Sequence, residues 1–337
     1  MVKVFRVGPA SANPLNLIAY AATRAGAVSY RALGKYGFNA LRLVTGNALA
    51  SQTLRATSQG DILLFPALDT YCCEMFIQDR YEPEIHALLA LIRDEPYSFV
   101  DCGANLGYWA VQVSGTALGG HPCVAIEASS PTFKLLERNR IANNNRFSTL
   151  HAAVYQVSGD LLAYAESPAH AERHLVSDGS AGSAIVSVSV DDAVSRFLPE
   201  TNAVIVKLDI EGGEPSALAG ASRTRRNRDC LFIVEDHGSD KEHRSAAACF
   251  TKGLKLWFLS APPFIATPMP DLAAVARVKT RPQIGYNFLA CEDDSQLALR
   301  LGLTAEGSRA NETVRLKLAK PLGSGAPDPV SSQRSPP

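Results

Sequence analysis

From residue 97 onward, short apolar runs alternate with segments of helical spacing. YSFVDCG, from Tyr97, is an apolar run closed by an acid, and NLGYWAVQVSG after it has the spacing of a helix. PCVAIEA predicts a second strand, again ending in an acid. Ser130-Pro131 then opens the helix TFKLLERNRIANN, with a capping residue type ahead of a proline in the first turn. FSTLHAAV, AVIVKLDI and CLFIVEDH predict the third, fourth and fifth strands, with helices at DDAVSRFL and EPSALAGA between the last three. A helix near SAAACFTKG, a strand LKLWFLS and a last strand IGYNFLACE complete the series. Between residues 159 and 190 the pattern changes: two β-rich stretches, DLLAYA and AIVSVSV, flank the polar segment 166 to 183 with His170 and His174. That segment is either a loop over an acceptor site or a surface loop without a role.

Strands that alternate with helices fold as an α/β, doubly wound, mostly parallel sheet covered by helices on both faces. The expected domain runs from 96 to 295, with seven strands, and ligands bind such sheets outside the carboxyl ends of the strands. Residues 1–95 are expected to form a helical and β extension. Within it, LNLIAYAATRAG (from Leu15) and YRALGKYGFNALRLV (from Tyr30) carry apolar stripes at partly helical spacing. These suggest helices packed on a core, or against a partner, a second copy or a membrane surface. ILLFPAL (from Ile62) predicts a short strand, and YEPEIHALLALIR (from Tyr81) a helix with Pro83 near its start. Residues 304–337 end in SGAPDPVSSQRSPP, which lacks bulky apolar side chains and is expected to be a disordered tail.

Composition narrows the function classes. Charged residues make up 20% of the chain and Lys plus Arg equals Asp plus Glu at 33 each, so no global field steers it onto nucleic acid or an anionic membrane. The seven cysteines are an odd count without C-x-x-C spacing, which argues against a disulfide framework or a zinc site. Free thiols fit a reducing cytoplasm, and no apolar run approaches the roughly 20 residues that cross a bilayer.

Four segments carry candidate chemistry. In VDCGANLGYWA, Asp101 ends the first strand, and Gly103 and Gly107 bracket the turn into the helix. Such a turn offers backbone N–H groups to an anion, while Asp101 could accept from an ammonium group. A tight turn without a ligand is the competing reading. Glu127 lies about twenty residues beyond the glycine turn at the end of strand two, where a carboxylate can accept both ribose hydroxyls of an adenosine. These two signals alone indicate a nucleoside site of either methyl-donor or nicotinamide type. The turn is not G-x-G-x-x-G: Asn105 stands at the middle position, where a side chain would crowd a pyrophosphate, and this favours S-adenosylmethionine. In VKLDIEGGEPSALAGA, Asp209, Glu211 and Glu214 surround the Gly212-Gly213 turn and could position a hydroxyl, take its proton or hold a divalent cation. Glu214 is also placed to cap a helix, and Lys207 is either a paired buried lysine or a functional one. In VEDHG, Glu235, Asp236 and His237 reach the same sheet edge, and His237 is a candidate general base. The basic run RTRRNR (Arg223 to Arg228) is expected as a solvated turn at the opposite edge, and Cys72-Cys73 as core.

VDCGANLGYWA, AIEASSPTFKLLERNRIANN, VSVDDAV, IVKLDIEGGEPSALAGA and FIVEDH stand in the order and spacing of the FkbM-type methyltransferases, and the chain resembles that family over about residues 60 to 290. The resemblance implies a class I S-adenosylmethionine-dependent, Rossmann-like fold and methyl transfer, commonly to an oxygen of a sugar or a polyketide-linked sugar. It implies that Asp101, Gly103, Ala104, Asn105, Gly107, Tyr108, Glu127 and Ala128 line the cofactor site, with Asp209 and Glu211 beside the transferring methyl group. Cys102 departs from the commoner small β-branched residue, and no acidic adenine contact is evident near His151-Ala152-Ala153. The expectation is therefore an O-methyltransferase acting on a small-molecule or glycan acceptor without a metal, with Asp209, Glu211 and His237 as catalytic residues. Two alternatives are a nicotinamide-dependent oxidoreductase and a non-catalytic S-adenosylmethionine-binding interaction module.

Overall fold

The computed structural model describes residues 6–33, 48–69, 72, 81–165, 174–176, 183–303 and 314–315. Three short strands, β1 (Arg6–Pro9), β2 (Thr53–Ser58) and β3 (Asp61–Pro66), form an antiparallel sheet, and the helix α1 (Pro14–Leu33) lies between β1 and β2 in sequence. The strand and first helix expected here are present. The two additional strands, RVGP and TLRATS, alternate too weakly to be read from sequence, and most of the second expected helix lies outside the described residues.

The predicted alternation holds from residue 83 onward. α2 (Pro83–Leu91) precedes β4 (Ser98–Cys102), α3 (Tyr108–Ser114), β5 (Cys123–Glu127), α4 (Ser130–Ala142) and β6 (Ser148–His151). The strands β7 (Ala153–Val154), β8 (Leu161–Ala165), β9 (His174–Val176) and β10 (Ser183–Val188) form a separate sheet in the order β7-β10-β8-β9. The two β-rich stretches thus pair with each other, Ile185 opposite Leu162. His174 begins β9, and His170 lies outside the described residues.

Next come α5 (Val190–Phe197), β11 (Ala203–Leu208), α6 (Glu214–Ala219), α7 (Ser222–Asn227), β12 (Asp229–His237) and α8 (Arg244–Thr251). The set closes with β13 (Lys255–Ser260), β14 (Ile265–Met269), α9 (Leu272–Val278), β15 (Gly285–Cys291), α10 (Gln296–Arg300) and β16 (Val314–Arg315).

The main sheet has the order β16-β14-β13-β15-β12-β11-β4-β5-β6. β4, β5, β6, β11 and β12 are mutually parallel, and β15 runs antiparallel to both β12 and β13. Seven strands match the expected set; β14 and β16 extend it to nine described strands. Pro268 within β14 removes a ladder donor and weakens that segment as a sequence signal. Among residues 304–337, only Val314–Arg315 is described, paired with β14.

Residues of β4 and β11 alternate between two cores. Phe99 and Ile205 pack with α2 and α3 and with β2 and β3 of the N-terminal sheet, whereas Val100, Val204 and Val206 pack with α5, α6 and α8. Because Leu54, Phe65, Leu88 and Phe99 belong to one core, the described β2, β3 and α2 share the hydrophobic interior of the main sheet. The chain runs outward from β4 through β5 and β6, then returns to the other side of β4 as β11. The carboxyl ends of β4 and β11 therefore lie side by side, with Lys207 directly opposite Asp101.

Candidate active site

The turn after β4 is built by packing. Gly103 has φ +75°, and a Cβ there would lie 1.9 Å from the Asp209 carbonyl oxygen, so only glycine lets β4 close on the residue that follows β11. Gly107 is the N-cap of α3 with φ 89°. The expected unpaired donors are spent internally: the N–H groups of Gly103 and Ala104 bond Ile126 O at 3.0 and 2.9 Å, and that of Gly107 bonds Ala104 O at 2.8 Å. This corrects the picture of a turn whose own N–H groups receive an anion. The reason is that β5 ends one step beyond β4, leaving a carbonyl in reach of the turn.

Glu127 stitches two loops together. One oxygen accepts from Asn105 N at 2.9 Å and the other from Ser129 N at 2.8 Å, and the residue is buried. Ala128 follows it and offers its carbonyl to His151 Nε2 at 3.1 Å. The His151 ring stacks on Phe133 with centroids 4.8 Å apart, in the place after strand three where no acidic contact was evident. Asp101, expected to meet a ligand ammonium, is 1% exposed and accepts from Ala110 N at 3.1 Å, inside the first turn of α3. Burial pushes its pKa up to about 7 against the pull of Lys207. Tyr108 is buried edge-on to Tyr81 at 5.1 Å and to Trp109 at 5.1 Å.

A charge cluster sits where β4, β11 and β12 end and the antiparallel β15 begins. The Lys207 ammonium, 2% exposed, lies 2.6 Å from Asp209 Oδ2 and 3.8 Å from Glu82 Oε2. Burial works against its charge, but Asp209, Glu82 and Asp101 outweigh that and hold its pKa well above the ordinary ammonium range. Burial likewise acts to raise Asp209, yet Lys207 and a hydrogen bond from Glu235 hold its pKa below the usual value. Burial and the Asp209 charge push Glu235 far up, so Glu235 carries the proton and donates to Asp209. Glu235 fits because its partner strand has Gly285, where a Cβ would fall 1.3 Å from Glu235 Oε1. Glu211, at φ 53°, is driven to about 8 by burial and the neighbouring Asp209.

The expected trio of carboxylates is therefore altered. Glu214 turns back and accepts from Ile210 N at 2.9 Å and Gly212 N at 3.3 Å, holding the hairpin as a cap does. Its place is taken by Glu235: Asp209, Glu211 and Glu235 each offer an oxygen within 4.8 Å of the others, a spacing that could hold a divalent cation, although Lys207 already gives Asp209 a counter-charge. His237 stands two residues beyond Glu235, hydrogen-bonded through Nδ1 to Ser239 Oγ at 2.7 Å, and its charge adds to the forces that lower Asp209. Asp236 points the other way into a buried pair with Lys279 and takes Ala246 N at 3.0 Å. The run from Arg223 to Arg228 is mostly a short helix, with Arg225 bonded to Glu292 and Lys252 O, which corrects the solvated turn expected there.

Glu82 and Asn287 are site residues that sequence reasoning missed. Glu82 accepts from Trp109 Nε1 at 2.6 Å and Asn287 Nδ2 at 3.0 Å, and burial raises its pKa despite Lys207. Two weak signals existed: Glu82 precedes a proline, which disfavours helix and sets it apart from α2, and Asn287 is a lone amide in an apolar strand. The six described cysteines are free and buried, Cys102 and Cys72 among them; Cys73 lies outside the described residues. No described helix is long and apolar enough to cross a membrane.

Residues 101–252 match the family described as methyltransferase FkbM domain. The crystal structure of methyltransferase FkbM from Methylobacillus flagellatus KT aligns at 17% identity and TM-score 0.36 over 58% of this chain and 43% of that one, so this chain spans less than half of that protein. Precorrin-6y C5,15-methyltransferase from Geobacter metallireducens GS-15 aligns at 9% identity and TM-score 0.36, covering 63% of this chain and 90% of that one. P. horikoshii TYW2 in complex with MeSAdo aligns at 11% identity and TM-score 0.34, covering 72% and 73%. Comparison with curated proteins finds no match.

Proposed function

Starting from the methyltransferase FkbM domain that residues 101–252 carry, we propose that this protein uses S-adenosylmethionine to methylate a hydroxyl oxygen of a small-molecule or glycan-like acceptor. The observation that carries the reading is the crowd of carboxyls around Lys207: Glu82, Asp101, Asp209, Glu211 and Glu235 share one buried ammonium. Such a site is short of positive charge. S-adenosylmethionine supplies, when bound, a methyl group on a cationic sulfur together with an ammonium, which matches that deficit. A nicotinamide dinucleotide brings a pyrophosphate and would meet repulsion here, so the oxidoreductase reading falls away with the domain match.

The roles follow from the geometry. Glu127, fixed by Asn105 N on one oxygen and Ser129 N on the other, is the carboxylate that takes the two ribose hydroxyls. Asn105 and Ala128 flank it, and Gly103 and Ala104 form the floor of the turn. Asp209 is ionised and fixed by Lys207 and Glu235, so it faces the cationic centre as a stationary charge. Glu211, with its pKa near 8, is matched to accept the proton of an acceptor hydroxyl near neutral pH. With S-adenosylmethionine held beside Asp209, its methyl group would be offered to the acceptor oxygen, whose proton Glu211 would take. His237 sits at the rim of the same edge, where it orients the acceptor.

The test begins with labelled S-adenosylmethionine and metabolite extracts, with mass spectrometry identifying what gains a methyl group. On that acceptor, Glu211→Gln lowers kcat by about 10²- to 10⁴-fold while cofactor affinity stays within about threefold. Asp209→Asn weakens cofactor binding as well as kcat. Full turnover by Glu211→Gln would remove Glu211 as the proton acceptor, and labelling only at nitrogen or carbon would remove the hydroxyl acceptor.

A further inference from the structure

The even balance of charge over the whole chain hides a segregation. Residues 1–60 contain Lys3, Arg6, Arg24, Arg31, Lys35, Arg42 and Arg55 and not one Asp or Glu, so the other 26 basic residues face all 33 acidic ones. The expectation that no field steers this protein to an anionic surface holds for the net charge and fails for this segment.

α1 is inverted relative to an ordinary surface helix. Its small or polar residues face the body: Asn16, Ala19, Thr23 and Ala27 are buried. Asn16 Nδ2 donates to Thr53 O at 2.6 Å, and Thr23 Oγ accepts from Leu68 N at 3.1 Å. Its large apolar residues face outward: Leu17 is 47% exposed, Ile18 53% and Val28 69%, with Ala21 and Ala25 exposed between them. At about 100° per residue these five fall within an arc of roughly 100°. Arg24 lies at the border of the arc, bonding Tyr20 Oη at 3.2 Å. Arg6 and Arg55, on neighbouring strands of the adjoining sheet, are also exposed.

We propose that this face docks on an anionic lipid leaflet, with α1 lying in the plane of the interface. An apolar stripe bordered by Arg24, in a basic segment without acids, is what the boundary of headgroups and acyl chains rewards. Asn16 and Thr23 bind the protein body and keep the helix from inserting end-on. A second copy fits poorly, because docking two such faces would bring together two segments of like charge. The inference is independent of the reaction proposed above: it concerns residues outside the methyltransferase domain.

The test is flotation of the full-length protein with vesicles of phosphatidylcholine alone or with about one third phosphatidylglycerol. Binding to the anionic vesicles is expected, weakening steeply between about 0.05 and 0.5 M salt. Ile18→Asp with Val28→Asp lowers the partition coefficient about tenfold or more, as does Arg24→Glu. The substituted side chains are exposed, and unchanged S-adenosylmethionine affinity and melting temperature confirm that the variants fold. Absence of binding to anionic vesicles overturns the proposal, as does equal binding to neutral ones. So does self-association, or capture of a protein, that the Ile18→Asp/Val28→Asp variant abolishes while vesicle binding is unaffected.

Discussion

Lys207 is the residue whose loss reaches furthest. Its ammonium lies among five acids, Glu82, Asp101, Asp209, Glu211 and Glu235, and its 2.6 Å contact keeps Asp209 charged. Lys207→Met preserves much of the volume and removes the charge. The expected cost is about 3 to 5 kcal/mol, because breaking a buried pair strands the partner. That cost depends on pH. Without the lysine the carboxyls have still higher pKa values, so at pH 5 they are protonated and the damage is small, while at pH 8 they must ionise unpaired or take up protons against the solution. Chemical denaturation at the two pH values should show a larger deficit at the higher one. An equal deficit would mean that the lysine stem only fills space. The sequence displays Lys207 as a lone cation in AVIVKLDI, which admits a paired or a functional lysine, and the structure shows it buried and paired. Glu82 was not legible, because it comes from more than a hundred residues away and enters only when α2 docks.

At the scale of elements, α4 acts as an extra strand for the N-terminal sheet. β3 is an edge, and edges expose unpaired backbone groups. Asn139 accepts from Leu64 N at 2.6 Å and donates to Leu64 O at 3.0 Å; Asn143 does the same for Ile62, at 2.9 and 2.6 Å. Four helical residues rise about 6 Å and two strand residues about 6.6 Å, so amides at i and i+4 meet alternate residues of a strand. Asn139 Nδ2 also reaches Leu106 O at 2.7 Å, tying the edge to the cofactor turn. Asn139→Ala should cost about 3 kcal/mol, since three backbone groups lose partners in a buried place. Asn139→Asp should cost more, because a carboxylate then faces two carbonyl oxygens. A thermal melt in which the aspartate variant matches the parent would dismiss this account. RNRIANN predicted a helix and its end correctly but gave no hint of this docking, because isolated asparagines in a helix carry no sign of their partners. The glycine turn was legible in place and misread in cause. Gly103 is demanded by the approach of Asp209 O, a tertiary contact that no local pattern contains. The strand series from Tyr97 to Cys291 was legible because its central runs, β4, β5 and β11, are buried on both faces and so largely apolar; β14, with Pro268 inside it, was not.

For the molecule as a whole, the proposed methyl transfer would be linked to protons through the acid-rich cleft. Asp101 titrates near 7 and Glu211 near 8, both raised chiefly by burial, and Glu82 and Glu235 are raised as well. A cation entering this cleft favours the ionised carboxyls and lowers these values, so binding expels protons. Below pH 7 the cation must displace protons and binds weakly; affinity then rises as pH climbs through 7 and 8 and levels off once both groups are ionised. The slope of log affinity against pH equals the number of protons released. The demethylated product has the same ammonium but has lost the sulfonium charge, so its slope must be shallower, and comparing the two ligands cancels the titration of the amino group they share. Calorimetry in buffers of different ionisation enthalpy, from pH 6 to 9, measures both slopes. The consequence is directional: without the sulfonium charge the carboxyls would recover protons, so the demethylated product would bind more weakly than the donor. Equal slopes for donor and product, or affinity that falls with pH, would show that the sulfonium does not lie among Asp209, Glu211 and Glu235, and the assignment of that edge as the transfer site would fail with it.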